Sequence, residues 1–286
     1  MVFRKYAEKI SKGSGSAVFV DGARSPFVKS FGAFADCDSL ELFSRVTAGL
    51  LRKVHFDTNE LDQIIAGAVV PQTKNPNVAR DAIINLNLPD HIHGYTLTRA
   101  CTTSLQTAID AVNTIRIGKP ELILAGGVET LSDVPIVYSK SARKFMLQLS
   151  KAKTTAGKLN LLRKFSAKAW MPKPPNLSEP LTGLTMGQHA EIMAKKNSIS
   201  REAQDQFAFD SHMKAAKARE KGIFAEEIVP IWAPPKYSNV VDGDDLIRED
   251  TSMEKLKTIR PAFDKKYGTI SAGNSSAITD LSLIHI

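Results

Sequence analysis

The stretch YTLTRACTTSLQTAIDAVNTIRIGKPELILAGG, residues 95–127, decides the fold class. It begins with a short strand-like segment, Tyr95–Thr98, passes into a helical pattern over Thr102–Ile117 and ends in the apolar strand Glu121–Ala125. The helical part repeats apolar residues at helix spacing, namely Leu105, Ala108, Ile109, Val112 and Ile115. A strand, a helix and another strand in this order predict an α/β sheet with covering helices.

The residues before this stretch repeat the same alternation. Ala17–Asp21 is predicted to be a buried strand, and Ser39–Val54 is predicted to be a helix with Ser39 as its cap. A second strand is predicted within Leu61–Val70, and a further helix over Asn77–Asn87. Residues 17–133 are therefore predicted to form an α/β domain.

The predicted organisation of the chain has five parts. Residues 1–16 are a basic leader, 17–133 the first part of the α/β domain, 134–265 an inserted, mainly helical loop domain, and 266–280 a return to the α/β domain. The remaining six residues, LSLIHI (281–286), contain no cap, polar tail or helix that would complete an α/β unit. We expect them to be an atypical tail, for which a truncated reading frame and a sequence artefact are the two alternative explanations.

The excess of positive charge comes from one segment of the chain. The whole chain has 38 basic and 30 acidic residues, a net charge of +8. Between Asp133 and Glu179 lie ten basic residues, within Lys140–Lys173, and no acidic one, so the rest of the chain has a net charge of 28 − 30 = −2. A local basic patch on a near-neutral body, without a recognition motif, does not indicate a nucleic-acid-binding protein.

Composition and spacing exclude several other classes. An apolar fraction of 43% indicates a folded globular protein, and no stretch reaches the roughly 18 apolar residues of a membrane span. Two cysteines exclude a disulfide framework and favour an intracellular protein, mitochondrial or in a bacterial cytoplasm. His91 and His93 have no third ligand at a matching spacing, so no metal site is predicted. The AGG at Ala125–Gly127 is interpreted as a turn at the end of a strand.

Cys101 is the residue that points most directly to chemistry. It follows a predicted strand and opens a predicted helix, so its thiol meets unpaired backbone N–H groups and the positive end of the helix dipole. These groups favour the thiolate and stabilise the oxyanion that forms when the sulfur attacks a carbonyl. The other interpretation is that Cys101 is a small buried apolar residue. Cys37, in a polar loop, has no such context.

Six stretches of the chain together resemble one enzyme family. They are RACTTS (99–104), AGGVETLSDVP (125–135), TMGQHAE (185–191), ISREAQDQFAFDSH (199–212), KLKTIRPAFDKKYGT (255–269) and SAGNSSAITD (271–280). In this order they resemble the thiolases, the acyl-CoA acyltransferases of fatty-acid β-oxidation that cleave 3-ketoacyl-CoA. The similarity covers about residues 17–280. The basic segment is most similar to that of the β-subunit of the fatty-acid oxidation multienzyme complex.

The resemblance implies an acyl transfer in two stages. Cys101 matches the nucleophile of the family and would attack the 3-keto carbonyl, release acetyl-CoA and keep the acyl group as a thioester. The thiolate of a second CoA would then remove the acyl group. Met186 and Ser276 match stretches that pack against pantetheine in relatives, and Arg248 would approach the nucleotide end. CoA is thus a co-substrate, and no bound cofactor or metal is implied.

The resemblance also implies partners and a missing half. Members of the family are dimers, and the β-subunit assembles with a hydratase/dehydrogenase α-subunit. The family has a second α/β domain that supplies a histidine in a GHP motif and a cysteine in a CxG motif, and neither motif occurs in this sequence. We therefore expect a chain that is truncated before that domain and lacks appreciable thiolase activity.

Two other functions fit parts of the sequence. One is a ketoacyl-synthase-like condensing enzyme, which also has a cysteine at a helix start, although MGQHAE and RPAFD argue against it. The other is a non-catalytic subunit that uses the basic residues of segment 139–173 to bind an anionic membrane surface or an acidic partner. A solvated, lysine-rich lobe without a ligand is the third interpretation of that segment.

Overall fold

The computed structural model describes residues 16–118, 120–164, 171–172 and 178–286. The chain divides into two compact units. The first contains the residues up to Asp133 and from Gly187 onward, and the second is Val134–Met186. The predicted loop domain, 134–265, coincides with neither unit, because residues 187–265 belong to the first. Its interpretation as one inserted domain stays a prediction.

The first unit is built around a six-stranded mixed sheet. Its sheet strands are β1 (Gly22–Arg24), β2 (Val28–Lys29), β3 (Gln63–Gly67), β4 (His93–Leu97), β5 (Ile123–Thr130) and β8 (Thr279–His285), and a separate hairpin consists of β6 (Ile231–Trp232) and β7 (Val240–Val241). The order across the sheet is β1-β8-β5-β3-β4, with β2 paired to β8. Strands β3, β4 and β5 are parallel, as an α/β alternation requires.

The helices of the first unit separate these strands along the chain. They are α1 (Ser39–Val54), α2 (Val78–Asn85), α3 (Thr103–Ile117), α6 (from Met186 to Lys196), α7 (Arg201–Glu220) and α8 (Met253–Thr258). Each predicted helix of the α/β part is confirmed to within two residues at either end. The cap of α1 is a correction, because Asp38, rather than Ser39, accepts the hydrogen bond from the N–H of Glu41 at 2.8 Å.

The main core lies beneath α1. Leu42, Phe43, Val46 and Leu50 are fully buried along one helical face, as their spacing predicts. They join a cluster that includes Ile64 and further side chains from β3, β5 and β8. Each such side chain stabilises the fold by about 1.5–3 kcal/mol relative to its exposed state.

Helix α3 differs from the prediction in the face that it buries. The buried residues are Thr103, Thr107 and Ala111, whereas Leu105 is 63% exposed and Ile109 is 40% exposed. The reason is close approach to the sheet, since a Cβ on Gly67 would lie 2.5 Å from the methyl group of Thr103. Small and polar side chains allow that approach, and long apolar ones would prevent it.

The AGG segment is not a turn, and this prediction was wrong. Gly126 and Gly127 lie inside β5 and face opposite sides of the sheet. A Cβ on Gly126 would lie 2.2 Å from the carbonyl oxygen of Leu283, and one on Gly127 would lie 2.2 Å from Ser104 Oγ. The two glycines therefore let β8 approach on one side of β5 and the start of α3 on the other.

The strand predicted at Ala17–Asp21 lies five residues too early. Val18, Phe19 and Val20 are between 47% and 61% exposed, and the strand begins at Gly22. The segment is nevertheless attached to the sheet, because the N–H of Val20 donates to the carbonyl of Ile286 at 2.8 Å. The apolar run Val18–Val20 predicts a buried strand, whereas the structure has an exposed segment there.

The expectation that residues 281–286 form an atypical tail is also corrected. Residues 281–285 belong to β8, which pairs antiparallel with β5 over six residue pairs and with β1 over three, and the N–H of Ile286 donates to the carbonyl of Asp21 at 3.0 Å. Leu281 and its neighbours alternate with the buried residues Asp280, Ser282 and Ile284. This alternation has the period of a strand, and its partners lie more than 140 residues away along the chain.

The second unit contains two helices within its described residues. They are α4 (Lys140–Lys151), which is capped by Ser139, and α5 (Thr155–Lys164). The sequence pattern predicts this second helix over 159–168, whereas it begins at Thr155; residues 165–168 lie outside the described residues, as do residues 173–177. Throughout the described part of the chain, no helix is long and apolar enough to cross a membrane.

Candidate active site

Cys101 lies in the turn between β4 and α3, and its side chain is exposed. The residue before it, Ala100, has a φ of 44°, in the left-handed region that a residue with a Cβ adopts only at a cost. Backbone hydrogen bonds from Thr102 to Arg99 and from Thr103 to Ala100 close the turn, at 3.2 and 3.1 Å. The interpretation of Cys101 as a buried apolar residue is therefore wrong.

The first turn of α3 leaves donors free beside the cysteine. The first backbone bond of the helix runs from the N–H of Gln106 to the carbonyl of Thr102, at 2.9 Å. In the part of the chain that the structure describes, the N–H groups of Ser104 and Leu105 have no acceptor. Thr102, the cap residue, makes no capping bond with its side chain. A helix start of this kind leaves N–H groups available to an anion.

Thr103 stabilises the turn through two hydrogen bonds to its backbone. Its hydroxyl accepts a hydrogen bond from the N–H of Arg99 at 2.8 Å and donates to the carbonyl of Ala100 at 2.6 Å. Its methyl group packs on Gly67 of β3, and the residue is 3% exposed. One buried side chain thus joins the turn to the sheet.

A row of hydrogen-bonded polar side chains runs from Arg99 in this turn along α3. The Arg99 guanidinium bonds Gln106, whose amide nitrogen donates to Asp110 Oδ1 at 2.6 Å. Tyr95 on β4 donates its hydroxyl to the other Asp110 oxygen at 3.4 Å. Burial and the neighbouring carboxylate raise the pKa of Tyr95, so the phenol remains protonated as a donor. This row fixes the Arg99 guanidinium against α3 by its bond to Gln106.

Cys37 is buried, whereas Cys101 is exposed. Cys37 is 1% exposed and belongs to the core cluster beneath α1. Burial, together with the nearby Glu41 carboxylate, raises the pKa of the Cys37 thiol to about 12. A buried, protonated thiol is inert.

Ser276 lies in an exposed part of the loop that leads into β8. The loop is fixed by Glu191 of α6, whose carboxylate accepts the N–H groups of Thr269 and Ile270 at 3.0 and 2.9 Å. Asn274 binds the same loop to α7, because its amide donates to Asp205 Oδ1 at 2.9 Å. Within the described residues, no hydrogen bond or ion pair joins Ser276 to Cys101.

Arg248 and Met186 are both exposed side chains. Arg248 lies in the first unit, where its backbone N–H donates to Nδ1 of His212 at 3.2 Å, and no hydrogen bond between described residues joins it to Cys101. Met186 is 57% exposed and belongs to the second unit. The predicted set of coenzyme contacts therefore stays a prediction.

Known proteins that resemble this chain identify its family. The family profile described as "Thiolase, N-terminal domain" matches residues 17–282. A 3-ketoacyl-CoA thiolase from Photobacterium profundum is 38% identical over 261 residues, which are 91% of this chain and 60% of that protein. A 3-ketoacyl-CoA thiolase from Aliivibrio fischeri is 38% identical over 276 residues, 96% of this chain and 62% of its own length. The chain belongs to the thiolase family.

The fold agrees with that of a solved thiolase. The acetyl-CoA acetyltransferase of Bacillus anthracis superposes with a TM-score of 0.80 at 29% identity, over 96% of this chain and 66% of that one. The family resemblance and the thiolase α/β fold predicted from the six stretches are confirmed, and the ketoacyl-synthase-like alternative loses its support. This thiolase chain spans about three fifths of the length of the curated relatives that it matches.

The histidines of this thiolase chain form no metal site with the residues described. The described residues contain no group of three or more histidine, cysteine, aspartate or glutamate side chains that would hold a metal ion. His93 begins β4, and both His91 and His93 line a cavity with Asp62. The Asp62 carboxylate is already used in the fold, because it accepts the N–H groups of Glu121 and Leu122 at 2.7 and 3.0 Å.

Sequence reasoning missed the carboxylates that hold this part of the thiolase fold. Glu191 and Asp205 are 3% and 0% exposed, and each binds loop 269–274 directly or through Asn274. Glu129, at the end of β5, accepts the N–H groups of Val69 and Val70. All three occur inside the stretches that carried the resemblance. The signal available in the sequence was a charged residue on an otherwise apolar helical face or in an otherwise apolar strand.

Proposed function

We propose that Cys101 is the nucleophile of a thiolase-type acyl transfer with 3-ketoacyl-CoA as the substrate. The observation that carries the proposal is an exposed thiol at the start of α3, beside N–H groups of Ser104 and Leu105 that have no acceptor among the described residues. Such donors stabilise the oxyanion that forms when the sulfur attacks a carbonyl. The names of the bacterial relatives support the substrate class.

The chemistry has two balanced steps. The Cys101 sulfur forms a bond to the 3-keto carbon, and the bond between carbons 2 and 3 of the substrate breaks as acetyl-CoA leaves. The thiol proton passes to carbon 2 of the leaving acetyl group, directly or through a neighbouring base. The sulfur of a second CoA then attacks the enzyme thioester and forms the shortened acyl-CoA, while the bond to the cysteine sulfur breaks and the proton of the CoA thiol passes to that sulfur and restores the cysteine.

The coenzyme contacts belong to the same proposal. Ser276 and Met186 would pack against the pantetheine arm, and Arg248 would approach the phosphates at the nucleotide end. Exposure of all three residues supports contact with a ligand. The hydrogen bonds of Glu191 and Asn274 give the Ser276 loop one defined shape, which a binding loop needs.

Acylation of Cys101 tests the proposal directly. The full chain is incubated with a 3-ketoacyl-CoA, and the mass of the intact protein and of its peptides is measured. We expect one acyl group on Cys101, none on a Cys101→Ala variant, and an unchanged result with Cys37→Ala, which removes the other thiol. Acylation of the Cys101→Ala variant, or none of the wild type, contradicts the proposal.

Thiolytic turnover is a separate measurement with a different expectation. No described side chain forms a hydrogen bond with the Cys101 sulfur, so among the described residues no general base or acid is in place beside it. We therefore expect this chain to form the acyl-enzyme slowly and to show no appreciable release of acyl-CoA. Normal turnover by the purified 286-residue chain would contradict this expectation.

The assembly proposed for the whole protein follows the family. A homodimer that binds a hydratase/dehydrogenase α-subunit is the arrangement implied by the resemblance to the β-subunit thiolase. Mixing the chain with such an α-subunit and measuring the mass of the product in solution tests it. A mass equal to the sum of a single copy of each partner would leave the dimer without support.

A second function is proposed for the second unit, namely binding to an anionic lipid surface. Helix α4 carries Lys140, Arg143, Lys144 and Lys151 together with Leu147, which is 62% exposed. No acidic residue occurs in the sequence between Asp133 and Glu179 to offset these charges. Each basic residue near an anionic bilayer contributes about 1 kcal/mol of binding free energy.

Vesicle sedimentation separates this proposal from a solvated lobe. The wild type is expected to sediment with phosphatidylcholine vesicles that contain cardiolipin and to stay in solution with phosphatidylcholine alone. A triple reversal, Lys140→Glu, Arg143→Glu and Lys144→Glu, is expected to abolish sedimentation. The control reverses three exposed lysines of similar charge elsewhere, at Lys214, Lys217 and Lys221. Equal loss in both triple variants, or indifference to lipid charge, contradicts the proposal.

A further inference from the structure

A half-buried carboxylate without a cationic partner lies close to the candidate active site. Glu129, near the end of β5, accepts the N–H of Val69 at 2.7 Å and that of Val70 at 3.2 Å. No ion pair to Glu129 occurs among the described residues, and burial raises the pKa of its carboxyl despite these two hydrogen bonds. Removing a charge from water costs free energy, and the hydrogen bonds from the N–H groups of Val69 and Val70 offset part of that cost.

The segment that Glu129 holds is attached to the turn of the nucleophile. The N–H of Ala68 donates to the carbonyl of Leu97 at 3.1 Å, at the end of β4. The hydroxyl of Thr98 donates to the carbonyl of Ala68 at 2.5 Å. Two hydrogen bonds therefore join residues 68–70 to the two residues that precede Arg99, Ala100 and Cys101.

Cys101 depends on such anchors because its own side chain has none among the residues described. The turn has a strained residue, Ala100, immediately before the cysteine, and strained backbone persists only where its surroundings hold it. Thr103 supplies the anchor on the helix side of the turn. Thr98 and, through residues 68–70, Glu129 supply the anchor on the strand side.

We propose that Glu129 and Thr98 are positioning residues that fix the direction of the Cys101 sulfur through the segment Ala68–Val70. The inference rests on the proposed function, because direction matters only if the sulfur attacks a bound substrate. Neither residue touches the sulfur. Their action is to keep the turn in the one geometry in which the sulfur and the free N–H groups of α3 face the same carbonyl.

Two reactions of Cys101 distinguish positioning from general structural support. Alkylation by iodoacetamide requires only an accessible thiol, whereas acylation by a 3-ketoacyl-CoA also requires the correct direction. We expect Thr98→Val to lower the acylation rate by about 10-fold or more and the alkylation rate by less than about 2-fold. Thr98→Ser, which restores the hydroxyl, is expected to return acylation to within about 2-fold of the wild type. Modification of buried Cys37 monitors unfolding in each sample.

The coupling between the two residues is tested with Glu129→Gln. The amide offers one good acceptor in place of two oxygens, so we expect a loss of acylation of roughly 3- to 10-fold. Because both residues act through Ala68–Val70, the double variant with Thr98→Val is expected to lose no more than the worse single variant. The control is Thr114→Val, which removes a hydroxyl-to-carbonyl bond of the same kind on α3, at 2.7 Å from Asp110. Losses that multiply, or an equal loss in the control, overturn the proposal.

Amide hydrogen exchange keeps the inference testable if the proposed function fails. If the wild type is not acylated, the function is wrong, and the positioning contacts are then judged by exchange at residues 98–104. We expect Glu129→Gln to raise exchange there as well as at Val69 and Val70, with α7 unchanged. Exchange that rises only at Val69 and Val70 overturns the proposal, whether or not acylation occurs.

Discussion

At the scale of the residue, the left-handed backbone conformation of Ala100 is a clear source of strain. A φ of 44° crowds its Cβ against the backbone, and glycine is the residue that adopts this conformation without strain. The left-handed residue lies directly before the exposed thiol of Cys101, at the turn where the chain changes from β4 to α3. Local strain and chemical function thus occur together, as they often do in proteins.

Substitution at Ala100 measures the cost of its left-handed conformation. Ala100→Gly is expected to change the free energy of unfolding by less than about 1 kcal/mol, because relief of strain offsets the greater freedom of glycine in the unfolded chain. Ala100→Val is expected to cost about 1–3 kcal/mol, since a β-branched residue resists positive φ. Urea denaturation measures both.

The matched control for Ala100 is Ala203, which is exposed in the first turn of α7. In a helix, glycine is the worse substitution and valine the better one, so the order of the two variants is expected to reverse. The same order at both positions would contradict a left-handed strain at Ala100.

At the scale of the element, β5 determines how closely its neighbours approach. A Cβ on Gly126 would meet backbone atoms of Leu283 and Ile284 in β8, whereas one on Gly127 would meet chiefly the hydroxyl of Ser104. Backbone atoms of a central strand cannot move aside, and a serine side chain can rotate. The two glycines therefore differ in how much of the sheet depends on them.

Alanine substitutions along β5 are expected to separate these two roles. We expect Gly126→Ala to lower the free energy of unfolding by about 2–4 kcal/mol, and Gly127→Ala by less, about 1 kcal/mol. The control is Gly243→Ala, which is expected to be nearly neutral, because a Cβ on Gly243 would meet no described atom within 4 Å and its φ is not positive. Thermal unfolding measures all three. A Gly126→Ala variant as stable as Gly243→Ala would be inconsistent with a close β5–β8 contact.

The elements that sequence predicted well are those with a local cause. Helix α1 follows from an apolar stripe, although its cap is Asp38 and not the predicted Ser39, and α2 follows from Asn77, whose side chain accepts the N–H of Arg80. The elements that it missed have distant causes. β8 is a strand because it pairs with β5. The face of α3 that is buried is determined by the close approach of this helix to Gly67 on β3.

The candidate site divides in the same way. Cys101 at a helix start is predictable from the sequence, because the strand, the turn and the helix are contiguous. Glu129 was not predicted, because its role depends on the Val69 and Val70 donors, which lie 60 and 59 residues away along the chain. Contacts between remote segments leave no periodic signal in a single sequence.

At the scale of the whole molecule, Glu129 affects stability as well as the site. Burial raises the pKa of its carboxyl above the ordinary value of 4.5. Between 4.5 and the raised value, the folded chain holds a proton that the unfolded chain has released, so stability falls as pH rises through this window and is constant above it. The acids whose pKa values are lowered, such as Asp21 and Asp38, act at lower pH, below 3.8.

Chemical denaturation at a series of pH values checks this sign. The free energy of unfolding of Glu129→Gln minus that of the wild type is expected to become more positive as pH rises from 4.5, and then to level off. A difference that is independent of pH, or that declines across the window, would mean that burial does not disfavour the ionised form of Glu129.

The position of β8 in the sheet has a consequence for synthesis on the ribosome. β5 is complete at residue 130, but its antiparallel neighbour begins at residue 279, so roughly 150 residues are translated in between. At about 5–20 residues per second, one flank of β5 waits several seconds or longer for its partner. During that interval the nascent chain presents an unpaired strand edge. This edge is open to chaperone binding and to pairing with a nascent chain on a neighbouring ribosome.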